Sequence, residues 1–289
     1  MKWFDYECPR TVEAAVGLLS APGRKVRALA GGTDLLVQLR AGRREADLVV
    51  DIKEIRELNE LRLDSTGLTI GAAVPCYRIY NDPAIARAYP GLIDAVSLIG
   101  GTQIQGRASL GGNLANAAPS ADAVPVLIAL GARCLMAGPA GARSLAVEDF
   151  CVAPGRNALA PGELLVSIHI AAPASGSGAA YLRFIPRNEM DIAVVGAGAS
   201  VVLDGNVFAE ARIALASVAP TPLFAAQAGD SLIGKPVGEA SINAAAEIAK
   251  AAAKPITDMR GTAEYRRHLC GVMTRRALTR AIARAKETN

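Results

Sequence analysis

A chain of 289 residues, 51% of them hydrophobic, has enough material for two or three small domains with real cores, which excludes a disordered polypeptide. Its 31 basic and 27 acidic residues leave a formal net charge of +4, too balanced to point to nucleic acid as a partner. Aromatic residues make up only 4%, so the interiors are expected to rest on small side chains and close backbone approaches.

Along the chain, Thr11 reads as the N-cap of a short helix carrying Val12, Ala15, Val16 and Leu19 at helical spacing. A strand over Val26 to Ala30, a loop, a helix over Asp34 to Arg40 and a strand over Asp47 to Ile52 then form a β-α-β unit. Two short β runs, Leu61 to Leu63 and Leu68 to Val74, flank the hairpin-like turn Asp64-Ser65-Thr66-Gly67. Helical stretches extend to about Leu98, a glycine-rich segment spans Gly100 to Asn113, and Ser120 to Leu130 reads as a buried helix. Strands are expected at Arg133 to Met136, Ser144 to Val147 and Leu164 to Ile170. The small, flexible run Ala172-Pro173-Ala174-Ser175-Gly176-Ser177-Gly178 marks a linker. Beyond it, Ile192 to Leu203 and Val207 to Val218 read as long strands around the hairpin signal Asp204-Gly205-Asn206. Ala244 to Ala253 is an alanine-rich helix, and Thr262 caps a longer one ending near Lys286. On that helix Leu269 and Leu278 lie on opposite sides, so it is either gripped from two sides or bent. Its basic excess fits a solvated face or an interface with an acidic partner.

The five cysteines, Cys8, Cys76, Cys134, Cys151 and Cys270, are scattered with no C-x-x-C pair, which argues against a zinc site, an iron-sulfur cluster or a disulfide framework and fits a reducing cytoplasm. The N-terminus lacks the apolar core of a signal peptide and no apolar run reaches bilayer length, so a soluble cytoplasmic protein with no membrane span is expected. His169 and His268 have no metal-spaced partner and read as structural. Gly196-Ala197-Gly198-Ala199-Ser200-Val201 starts like a dinucleotide fingerprint but has Val in the third glycine position and runs directly into the hairpin, so it reads as strand.

The informative motifs are two glycine-paired loops, Ala30-Gly31-Gly32-Thr33-Asp34 and Ser109-Leu110-Gly111-Gly112-Asn113. Paired glycines let successive N-H groups point into one concavity, and the hydroxyls of Thr33 and Ser109 add donors. Two such loops suggest a diphosphate clamp. After the second comes a polar cluster of Asn113, Asn116, Ser120 and Asp122. Asp122 either hydrogen-bonds sugar or ribityl hydroxyls or caps the following helix. With no visible nucleophile, general base or metal set, the chemistry is expected to come from a cofactor.

These loops, with Pro119-Ser120-Ala121-Asp122 and Asp258-Met259-Arg260-Gly261-Thr262-Ala263-Glu264-Tyr265-Arg266-Arg267-His268-Leu269, resemble the FAD-binding medium subunit of molybdenum hydroxylases, the carbon monoxide dehydrogenase and xanthine dehydrogenase group. The resemblance spans essentially the whole chain. It implies an α+β fold: a PCMH-type FAD-binding domain over 1–174, made of two α+β subdomains (about 1–55 and 56–174), then a smaller C-terminal domain over 179–289 with an antiparallel sheet and helices. It implies that both glycine loops hold the FAD diphosphate, that Asp122 is polar to the cofactor, that Leu165 lies along the flavin and that Arg183 is a basic contact. The stretch 187–193 would cover the isoalloxazine, with Ile192 against the ring. It further implies a large molybdopterin-binding subunit and a small iron-sulfur subunit as partners, in a dimer of heterotrimers, with electrons passing from molybdopterin through iron-sulfur clusters to FAD and on to an external acceptor. The alternatives are a stand-alone FAD-dependent oxidoreductase acting directly on a small substrate, and a nucleotide sensor. Three positions depart from the family pattern: Ser109 stands in place of Thr, Gln105 in place of Arg, and Ile192 in place of an aromatic residue. A cysteine-rich insertion found in one branch is missing after Asn113.

Overall fold

The computed structural model describes residues 1–187 and 190–288. Its first lobe opens with β1 (Asp5–Glu7), which the sequence pattern did not reveal, followed by α1 (Val12–Leu19), β2 (Val26–Leu29), α2 (Leu35–Arg40) and β3 (Leu48–Asp51). Thr11 caps α1 by accepting from the amide of Ala14. The three strands form a parallel sheet in the order β1-β3-β2. Every residue of β3 is buried, because both faces of this central strand are covered. On one side Leu48, Val50 and Ile52 pack with Ala15, and on the other Val49 packs with Leu29 and Leu39.

The second lobe begins with β4 (Leu61–Asp64) and β5 (Gly67–Gly71), paired as the predicted hairpin. Helices α3 (Cys76–Tyr80), α4 (Pro83–Ala88), α5 (Pro90–Val96), α6 (Thr102–Gln105), α7 (Leu110–Ala115) and α8 (Ala123–Ala129) follow. The glycine-rich segment is therefore partly helical. Then come β6 (Arg133–Gly138), β7 (Gly141–Ala146), the small hairpin β8 (Cys151–Ala153) and β9 (Arg156–Asn157), and β10 (Leu164–Ala171). β10 returns to the middle of a five-stranded antiparallel sheet ordered β4-β5-β10-β6-β7. All seven residues of α8 are buried, and its apolar side chains join Ile70, Leu92 and Ile168 in the largest core cluster. Leu164 and Val166 of β10 reach into the cluster of the first lobe and join the two.

The third region is a four-stranded antiparallel sheet of β11 (Ser177–Phe184), β12 (Val195–Asp204), β13 (Val207–Ala216) and β14 (Leu223–Phe224), backed by α9 (Ala226–Asp230), α10 (Glu239–Ala252) and α11 (Ala263–Glu287). Asp204-Gly205-Asn206 makes the expected hairpin, with Asp204 opposite Val207. Two boundaries differ from the sequence reading. β11 begins inside the predicted linker, and β12 starts at Val195, leaving Ile192 in the preceding loop. The fingerprint-like stretch is strand, as expected: at Gly198 the sheet touches α8, where a Cβ would stand 2.7 Å from the Pro125 carbonyl.

Thr262 caps α11, and both Leu269 and Leu278 are buried, so the helix is gripped from two sides. Its basic residues are not simply a solvated face. Arg266 is buried and donates to the carbonyls of Val194 and Ser217 and to Asp258. Arg284 donates from both terminal nitrogens to Asp94 of α5.

Candidate functional site

A cleft of about 1100 Å³ opens between the first two lobes, above the usual range for a drug-sized ligand and large enough for a dinucleotide. Both glycine loops line it, and the first meets the backbone that leads into the second. The first joins β2 to α2, and Gly32 turns it with a φ of +77°, the left-handed region that suits glycine. A Cβ on Gly31 would stand 2.0 Å from the carbonyl oxygen of Arg107, two residues before Ser109. Only a residue without a side chain lets the loops meet backbone to backbone.

The loops present unpaired donors. The amides of Gly31, Gly32, Thr33 and Asp34, and that of Gly111, donate to no acceptor among the described residues. One detail differs from expectation. Ser109 is the N-cap of α7, and its Oγ accepts from the amide of Gly112 at 3.0 Å, so that amide is turned away from a ligand.

Of the predicted positions, Ala30, Gly31, Gly32, Thr33, Asp34, Ser109, Gly111, Gly112, Asn113, Asn116 and Leu165 line the cleft. Asn113 Oδ1 accepts from the amide of Ala123 at 3.3 Å, tying the second loop to α8. Asn116 Oδ1 accepts from Gln38 Nε2 at 3.0 Å, a link across the cleft. Leu165 sits where the pairing of β10 with β6 shifts register.

The other four positions lie elsewhere. Leu110 is buried in the core of the second lobe. Asp122 and Arg183 pair with each other at 2.8 Å, and the fully buried Tyr181 hydroxyl donates to the same carboxylate at 2.8 Å. Asp122 occupies the N-cap position of α8 without making a capping bond, so the capping role is not realised. Burial pushes its carboxyl up while Arg183 and Tyr181 pull it down, and burial pushes the Tyr181 phenol well up. Ile192 is half exposed, just before β12. Asn188 and Glu189, within the stretch expected to cover the flavin, lie outside the described residues.

Sequence reasoning missed several lining residues. Arg24, Lys25, Arg27, Arg44 and Arg156 line the cleft; Arg24 and Lys25 pair with Asp5 and Glu45, which leaves Arg27, Arg44 and Arg156 as the cations there with no carboxylate partner among the described residues. Burial, and the charge of neighbouring Arg44, pull Arg27 down. Gln38 stands four residues after Asp34, one helical turn on, a spacing that could have located it. Gln105 is buried and donates to the carbonyls of Ser97 and Ile99, so this departure from the family pattern supports the cleft-lining Ile99 from within.

A cradle whose closest approach a Cβ would fill, five amides without an acceptor among the described residues and three arginines without a carboxylate partner fit the diphosphate of a dinucleotide. Fold and site together define a protein with a cleft suited to a dinucleotide. A family model described as the FAD binding domain in molybdopterin dehydrogenase matches residues 2–173, and one described as the CO dehydrogenase flavoprotein C-terminal domain matches residues 180–281. The chain is 36% identical to the carbon monoxide dehydrogenase medium chain of Afipia carboxidovorans, covering 98% of each. It is 32% identical to the xanthine dehydrogenase FAD-binding subunit of Escherichia coli O157:H7, covering 97% of each. It superimposes on a chain of carbon monoxide dehydrogenase from Hydrogenophaga pseudoflava with a TM-score of 0.94 at 33% identity, covering 98% of each. The chain belongs to the family of FAD-binding subunits of molybdenum hydroxylases.

Proposed function

We propose that this chain is the FAD-binding electron-transfer subunit of a molybdenum hydroxylase complex. The observation that carries this reading is the backbone-to-backbone meeting of the glycine loops at Gly31 and Arg107, inside a cleft of dinucleotide size. Ala30 to Asp34 and Ser109 to Asn113 would hold the diphosphate, with Asn116 beside it and Leu165 along the flavin. Asp122 is proposed to make a polar contact and Arg183 a basic contact with the cofactor, and Ile192 to lie against the flavin ring from the side of the third region. When bound, FAD supplies the ability to take electrons one or two at a time. This chain's own residues bind and orient it, exclude water and set the surrounding charge.

The working division is an FAD domain over 1–174, split near residue 55, and a C-terminal domain over 179–289. The proposed partners are a large molybdopterin subunit and a small iron-sulfur subunit, assembled in the cytoplasm as a dimer of heterotrimers. No helix among the described residues is long and apolar enough to cross a membrane. In this arrangement substrate is oxidised on the large subunit. Native copurification followed by anaerobic mixing tests the reading: the complex reduces its flavin on addition of substrate, whereas the isolated chain binds FAD and does not. Reduction by the isolated chain at the rate of the complex would establish a stand-alone flavoenzyme instead.

A further inference from the structure

Arg266 of α11 is a buried cation, 3% exposed, that does not line the cleft. Its guanidinium gathers three segments of the third region. Nη1 donates to the carbonyl of Val194 at 2.7 Å and to that of Ser217 at 3.3 Å, and Nη2 donates to Asp258 Oδ1 at 2.6 Å. A planar fork serves several acceptors at once in a fixed geometry, which a lysine cannot do. Two polar atoms at the same point, Arg266 Nε and Ser217 Oγ, are buried with no partner among the described residues. Ser217 also holds a φ of +66°, in the left-handed region that a residue with a Cβ rarely adopts. Unpaired buried groups and strained backbone both cost stability, so stability alone does not explain this joint.

The contacts lead outward to one short segment. Val194 lies two residues after Ile192. Asp258 Oδ1 also accepts from the amide of Arg260 at 2.8 Å, and Arg260 Nε stands 3.9 Å from Asp191 Oδ1, which accepts from the amide of Ile192 at 2.8 Å. Two routes therefore run from Arg266 to Ile192. A third contact refers them to the second lobe, because the amide of Ser217 donates to the carbonyl of Pro119 at 2.8 Å. The same segment borders the cleft: a Cβ on Gly101 would stand 2.8 Å from Met190 Cγ, and Ile99, two residues before Gly101, lines the cleft wall. We propose that Arg266 is a positioning residue that holds Ile192 over the flavin ring, an assignment that rests on the proposed placement of Ile192. Arg266 touches neither the cofactor nor the reacting atoms. It ties the Ile192 segment to the lobe that lines the cleft, so the two keep one relative position. Without that tie the segment parts from the second lobe and uncovers the ring, while the glycine loops still hold the diphosphate.

The test uses the full-length chain loaded with FAD, with iodide quenching of flavin fluorescence reporting ring exposure and equilibrium dialysis reporting affinity. Arg266→Lys keeps the charge and loses the fork, so its quenching constant should rise about threefold or more while the Kd for FAD stays within about threefold of wild type. Ile192→Ala should raise quenching by a similar factor, and the double variant no further than the larger single one, because both changes act on one contact. A purely structural loss behaves differently: Leu278→Ala, a core truncation further along α11, should lower the melting temperature and leave quenching unchanged. Unchanged quenching in Arg266→Lys while Ile192→Ala raises it would overturn the proposal, and so would multiplied effects in the double variant. Asp258→Asn, at an exposed position, weakens the same tie. Should Arg266→Lys not fold, raised quenching in Asp258→Asn supports the proposal and unchanged quenching overturns it. Wild-type quenching in Ile192→Ala overturns the placement of Ile192 on which the proposal rests, and a wild-type chain that binds no FAD overturns the reading of the cleft, each a result distinct from a silent Arg266→Lys.

Discussion

Gly31 shows how a single residue decides the site. A Cβ there would stand 2.0 Å from the Arg107 oxygen, so Gly31→Ala must push the loops apart at a cost of about 1 to 3 kcal/mol, the range for overpacking. The expected outcome is a lower melting temperature together with weaker FAD retention. Full stability with full retention would mean that the loops need not touch. Tyr6 offers a pH test in the same lobe. Its hydroxyl donates to Asp51, and that bond, with burial and the carboxylate charge, pushes the phenol up to about 12 from 10.0. A group raised in the folded state contributes its stability fully below the unfolded value and loses it as pH rises through the folded one. The stability gap between wild type and Tyr6→Phe should therefore narrow between about pH 10 and 12, and a constant gap would contradict the assignment. The glycine pairs were legible because the need for a bare backbone is written in residue type. The pairing of Asp122 with Arg183 and Tyr181 was not, since these residues are distant in sequence and meet only through the third region.

Among the elements, the ends of α11 were readable and the start of β11 was not. Thr262 followed by a long periodic segment carries a local capping signal, and its side chain accepts from the amide of Tyr265 at 3.1 Å. Thr262→Ala should cost about 1 kcal/mol in chemical denaturation, with Thr262→Ser restoring most of it. No loss in the alanine variant would show that the cap contributes nothing. β11 begins Ser177-Gly178-Ala179-Ala180, a run that looks like linker because nothing in it favours a strand. Packing supplies the missing reason: a Cβ on Gly178 would stand 2.2 Å from the Ala281 carbonyl of α11, so small residues are what the contact demands. The same missed strand explains why Ile192 was placed at the start of a strand and lies in a loop. β1 escaped notice because it is only three residues long, and all three are exposed.

For the whole molecule, the two glycine loops and the order of the elements were visible in the sequence and the α+β architecture followed from the family resemblance, whereas the contacts joining the regions were not legible. Asp94 of α5 accepts from Arg284 at 2.6 and 2.9 Å and from the amide of Tyr181 at 3.1 Å, fastening the second lobe to the end of α11 and to β11. Asp94→Ala leaves Arg284 without its carboxylate and should destabilise the chain by about 3 kcal/mol in urea unfolding. A loss no larger than that of an exposed pair would show the joint to be incidental. The central claim, that the meeting of the two glycine loops is an FAD diphosphate cradle, is tested most directly by flavin stoichiometry. Equilibrium dialysis of the purified chain against FAD, read by flavin absorbance, should give one FAD per wild-type chain and a near-complete loss in both Gly32→Asp and Gly112→Asp. Gly32→Asp forces a side chain against Leu29 and Leu36 at a left-handed φ, and Gly112→Asp forces one against the Ser109 hydroxyl that caps α7, so each distorts its loop and adds a negative charge to it. One FAD per chain in both folded variants would contradict the account.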